Sequence, residues 1–152
     1  MRLTVAAACA FAALVAPSLS AAQAVDGWSY AYSGGVAAAT QADNHNHTTV
    51  SLSCSPPTGD IIIADYGFGR AARNVRTAIV KIGNGVQVNI PATLEGRGRD
   101  QFVSVKLPQR PPILAGVQPH DQLTVTVNNV THAYTGDSGA QLKNIAYACW
   151  GS

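Results

Sequence analysis

Three groups of residues in this 152-residue chain have the types and spacing to do chemistry. The densest is Asp43-Asn44-His45-Asn46-His47. Histidines two apart on an extended segment project to the same side, and imidazole nitrogens suit zinc or copper, with Asp43, His120 or His132 to complete the shell. The plainer reading is a polar loop between strands. Two histidines alone do not close a tetrahedral site, so the expectation is no cofactor, with zinc or copper at His45 and His47 as the alternative. The second group is Arg70, Arg73 and Arg76, spaced by three after Gly67-Phe68-Gly69, with Arg97, Arg99, Lys106 and Arg110 as a second basic stretch. Brought together they would form an anion-binding surface for an acidic glycan, phosphate or an acidic protein partner; left apart they are two solvated loops. On a strand Arg73 and Arg76 would point to opposite faces, so a shared surface needs a loop or helical turn at 70–76. The third group is Cys54 and Cys149.

Gly136-Asp137-Ser138-Gly139 resembles the nucleophile motif of the trypsin-like serine proteases, which would make Ser138 the attacking group. The likeness covers four residues. Ala140 follows instead of that family's second glycine, none of the four histidines sits in an Ala-Ala-His-Cys context, and the chain is too short for two six-stranded barrels. A structural role accounts for the same serine: Ser138 with Gln141 three residues later has the spacing of a capping box. Glu95 and Asp100 show no pairing of the kind that glycoside hydrolysis needs. The expectation is therefore not an enzyme.

The compartment is read from the N-terminus. Arg2 precedes an apolar run from Leu3 to Val15, and Ala22-Gln23-Ala24 has the small-x-small pattern of a signal-peptidase site. Residues 1–24 are expected to be a signal peptide, leaving 25–152 as a single domain that is periplasmic or secreted. Of Cys9, Cys54 and Cys149 only the last two survive cleavage, and in an oxidising compartment they are expected to pair. Without Arg2 the chain has nine Lys plus Arg against eight Asp plus Glu, a balance unlike that of a nucleic-acid binder. No second apolar stretch approaches the roughly 20 residues of a bilayer span, so no membrane span is expected in the mature chain. Asn46-His47-Thr48 and Asn129-Val130-Thr131 are glycosylation sequons by pattern, which the bacterial look of the Ala-rich leader makes accidental.

The elements that must position these groups read as strands. Trp28, Tyr30 and Tyr32 alternate with small residues, placing three aromatics on one face, expected to be core. Val50, Leu52 and Cys54 alternate likewise, and Ile61-Ile62-Ile63 is apolar enough for a buried strand. Val75 to Ile82 and Val86 to Ile90 flank a Gly83-Asn84-Gly85 turn, with Pro91 closing the second strand. Phe102 to Leu107, Leu123 to Val127 and Val130 to Tyr134 follow, the last two joined at Asn128-Asn129. Leu142, Ile145, Ala146 and Cys149 fall on one face of a helix that Gly151 would end. The fold class is mainly β: a small β-sandwich or barrel of seven to eight strands with one C-terminal α-helix.

The early Trp28, the strand ending in Cys54 and the capped helix ending in Cys149 together resemble small bacterial envelope proteins of the VasI-like kind, accessory proteins associated with type VI secretion. The resemblance implies no catalytic residues. The expected function is thus a non-enzymatic exported domain that binds another cell-envelope component through Arg70, Arg73 and Arg76. The alternatives are a metal-binding periplasmic protein using His45 and His47, and a hydrolase.

Overall fold

The computed structural model describes residues 27–151 except 55–58, 86 and 135. The signal-peptide reading of residues 1–24, with its cut before Val25, lies outside the described residues. Among those described there are nine strands: β1 (Trp28–Ser33), β2 (Val36–Ala42), β3 (Thr48–Cys54), β4 (Ile61–Asp65), β5 (Thr77–Ile82), β6 (Gln87–Glu95), β7 (Phe102–Leu107), β8 (Leu123–Val127) and β9 (Val130–Tyr134). One helix, α1 (Ser138–Trp150), follows. The chain is mainly β with a C-terminal helix, and the count of seven to eight strands is corrected to nine. The additional strand is β2, whose sequence VAAATQA alternates only alanine with small or polar residues and so gives almost no amphipathic signal.

All pairings are antiparallel, in the order β1-β2-β3-β4-β7-β6-β5-β8-β9. The sheet curls into a half-barrel because β6 changes partners along its length. Gln87 to Pro91 pair with β5, and Ala92 to Glu95 pair with β7. Pro91 therefore does not end the strand. Lacking an N–H, it sits where the ladder passes from one neighbour to the other, a position where a sheet can bend without losing a donor.

Register defines one continuous inner face. Val50, Asp65 and Val103 lie abreast, as do Leu52, Ile63, Val105 and Ala92, and His132 lies abreast of Val125 and Val80. Helix α1 packs across β1 to β4, inserting Leu142, Ile145 and Cys149. The fully buried Ala37 and Ala39 keep β2 flat enough for that approach. Cys54 and Cys149 are joined as a disulfide across 95 positions, tying the end of α1 to the end of β3. The N-terminal aromatic row is core at one end only. Trp28 is completely buried, Tyr30 is half-buried and Tyr32 is 60% exposed, on a strand that forms the edge of the sheet. No helix among the described residues is long and apolar enough to cross a membrane.

The start of α1 corrects the capping-box expectation. The residue before the helix, Asp137, is left-handed (φ 46°) and makes no side-chain cap, while Ser138 is the first helical residue. Its buried hydroxyl donates to Tyr134 O at 2.5 Å, and Gln141 donates its backbone N–H to Asp137 O. The chain turns one residue earlier than the spacing suggests, so the serine fastens the helix back onto β9. At the other end Gly151 is left-handed as expected (φ 71°) and its N–H returns to Tyr147 O.

Candidate functional site

Antiparallel connectivity sorts the loops. The β2–β3, β4–β5, β6–β7 and β8–β9 connections all fall at one end of the half-barrel, and the β1–β2, β3–β4, β5–β6 and β7–β8 connections at the other. Because β7 and β6 lie between β4 and β5, the 66–76 segment has to cross the first end. It crosses the mouth of the curl. Phe68 is buried and stacks on His132 of β9 (centroids 4.0 Å, 20°), Ala72 is buried, and Asn128 of the β8–β9 turn donates from Nδ2 to Ala71 O at 2.9 Å and Arg73 O at 3.3 Å. Asn128 and Asn129 both have positive φ, the geometry of a tight two-residue hairpin turn, which points the Asn128 amide at the crossing segment.

Beneath that segment lies a polar cluster. Asp65 continues the inward phase of Ile61 and Ile63, and its carboxylate is 0% exposed. A buried carboxylate requires partners. His132 Nδ1 lies 3.0 Å from Oδ1 and 3.2 Å from Oδ2, and the Gly67 N–H donates to Oδ1 at 2.9 Å. Tyr134, 3.5 Å from His132 Nδ1, has its phenol pushed above the ordinary range by burial first and by the negative charge of Asp65 second. Gly67 is required by contact: a Cβ there would lie 2.6 Å from His132 Cε1. The cluster thus holds β9 against β4 across the curl and seats the crossing segment on both.

That seating turns the arginines outward. Residues Gly69–Ala72 form a 3₁₀ turn, with Arg70, Arg73 and Arg76 exposed on and after it. The β6–β7 connection at the same end bears exposed Arg97 and Arg99. None of these five arginines makes a salt bridge among the described residues, whose ion pairs all join a histidine to an aspartate. The other members of the second basic stretch are elsewhere: Lys106 is exposed on strand β7 and Arg110 is at the opposite end.

The histidines are not brought together. His45 and His47 are exposed on the β2–β3 turn with ring centroids 6.2 Å apart. Asp43 folds that turn, accepting the N–H of His45 at 2.8 Å and of His47 at 2.9 Å; the His47 N–H is the main cause that lowers its carboxyl pKa. His120 Nδ1 pairs with Asp137 on the far end, and His132 is engaged with Asp65. No cluster of three or more His, Cys, Asp or Glu side chains suited to a metal occurs among the described residues. Ser138 is buried with its hydroxyl committed to Tyr134 O.

The Asp65–His132–Phe68 cluster was not singled out from the sequence, although a signal for it exists. Asp65 is in phase with Ile61 and Ile63, so period-two reading already places a carboxylate on the buried face, and Gly67 two residues later marks the turn that accepts it. Which histidine answers it is set by the curl, which no local pattern encodes. Comparison of the chain with protein-family models, with curated proteins and with solved structures finds no match.

Proposed function

We propose that this chain is a non-enzymatic exported binding domain that engages an acidic component of the cell envelope, a protein or a glycan, through the arginine-bearing end of the half-barrel. The observation that carries the reading is the set of five exposed arginines on two loops at one end, free of acidic partners among the described residues. In a chain with only 12% charged residues such a set dominates the local potential and is felt over about a Debye length of 8–10 Å. The segment that presents three of them is anchored by Phe68, Ala72 and Asn128, so little ordering cost attends binding. The resemblance to VasI-like envelope proteins supports an accessory role, and the export-type N-terminus supports a periplasmic or secreted location.

The test is retention on an immobilised acidic polysaccharide over a salt gradient. Wild type should elute later than an Arg70→Ala/Arg73→Ala/Arg76→Ala variant, and the gap should close as salt rises, while the two proteins melt alike. Identical elution at low salt would remove this end of the molecule as the binding surface.

A further inference from the structure

A second concavity lies at the opposite end, on the outer side of α1. The β7–β8 connection, with a short 3₁₀ turn at Pro112–Leu114, runs beside the helix face that is turned away from the sheet. Between them is a groove of about 490 Å³, within the roughly 300–1,000 Å³ typical of small-molecule sites. Its apolar lining includes Pro112, Leu114, Tyr147 and Trp150, and two cations, Arg110 and Lys143, complete it. Neither cation has a salt-bridge partner among the described residues.

The walls are fixed before any ligand arrives. The Gly139 N–H donates to Asp121 O at 3.0 Å and the Ala140 N–H to Pro119 O at 2.9 Å, so the connection is locked to the first turn of α1. Trp150 Nε1 donates to Gly59 O at 3.0 Å, and the adjacent Cys149 is bonded to Cys54, which immobilises the indole at the other end of the groove. Arg110 holds a left-handed backbone (φ 49°), a conformation that is unfavourable for a non-glycine residue. Tyr147 is nonetheless 70% exposed, a large aromatic surface with nothing on it among the described residues.

We infer that this groove binds a single-chain anionic amphiphile, a fatty-acyl carboxylate of medium length. Charge complementarity selects the head group: two cations with no ion-pair partner among the described residues meet an anion, and Lys143 stands in the middle of the helix, away from the negative end of the helix dipole at Trp150. The apolar lining selects the tail, which would lie along Leu114 and Tyr147 toward Trp150. The site is independent of the arginine-bearing end, so neither reading depends on the other.

The experiment titrates the oxidised protein with dodecanoate below its micelle concentration, following indole emission, since Trp150 lines the groove while Trp28 is fully buried elsewhere. Calorimetry runs in parallel so that a silent indole does not hide binding. Dodecanol and acetate supply tail without charge and charge without tail. Saturable binding of dodecanoate is expected, with dodecanol and acetate much weaker. An Arg110→Gln/Lys143→Gln variant, altered only at exposed side chains, should bind dodecanoate about tenfold more weakly or worse, the scale of one lost hydrogen bond to a charged group. Absence of saturable dodecanoate binding, equal binding of dodecanol, or an unchanged affinity in the double variant would each overturn the inference.

Discussion

Replacing His132 with alanine tests the polar cluster that seats the crossing segment. Asp65 is completely buried and His132 presents Nδ1 to both of its carboxylate oxygens, at 3.0 and 3.2 Å. Removing the ring takes away two of the carboxylate's contacts and leaves it the Gly67 N–H and the neighbouring Tyr134 hydroxyl. Stranding a buried polar group in this way costs about 1–3 kcal/mol, and more when it is charged. Loss of the Phe68 stack, with centroids 4.0 Å apart, adds about 0.5–1.5 kcal/mol. The His132 side chain is 25% exposed, so water can reach the vacated space and recover part of this. A net destabilisation of roughly 2–4 kcal/mol follows. Urea unfolding of the oxidised protein measures it, and a double-mutant cycle with Asp65→Asn isolates the pair: the double variant should be destabilised by less than the sum of the singles, because no ionised carboxylate is left to strand. A loss below about 0.5 kcal/mol, the range of ordinary surface changes, would refute the reasoning.

Three further outcomes are expected. Reducing the Cys54–Cys149 bond, which spans 95 positions, should lower stability by about 4–5 kcal/mol, read from denaturant curves with and without reductant. Gly139→Ala should destabilise by more than about 2 kcal/mol, although Gly→Ala inside an open helix gains about 1 kcal/mol, because the new Cβ would lie 2.0 Å from Gln118 O; a stabilised variant would show that the connection is not locked to α1. The raised Tyr134 pKa means that the native state resists phenol ionisation: its contribution is complete below the ordinary tyrosine value of about 10 and is lost as the pH climbs above it. Stability should therefore fall more steeply on the alkaline side in wild type than in Tyr134→Phe, and equal slopes would contradict this.

Much of the fold was legible because its signals are local. Period-two alternation and short apolar runs marked eight of the nine strands, Cys54 and Cys149 marked the disulfide, and Asn128-Asn129 marked a turn that the positive φ values explain. What was missed depends on packing. Ala37 and Ala39 of β2 are buried because α1 lies over them, not because alanine signals a strand. Pro91 reads as a terminator in sequence, yet at a strand that changes partners its missing donor is harmless. Ser138 has cap spacing but spends its hydroxyl on Tyr134. At the candidate sites, the arginine spacing was visible while its companion loop at 96–101 was not tied to it until the topology put both at one end. Arg110, Lys143 and Trp150 are far apart in sequence and share a groove only because the β7–β8 connection is fastened to the helix.

The central claim is that partners meet the arginine-bearing end, and site-specific photocrosslinking in cells tests it most directly. A photoreactive residue in place of Arg73 occupies the crossing segment, whereas one in place of Tyr32 is also exposed but stands near the β1–β2 turn at the opposite end. The account predicts discrete adducts from position 73 that disappear when salt is raised in spheroplasts, and none from position 32. Adducts from position 32 with none from position 73 would contradict it.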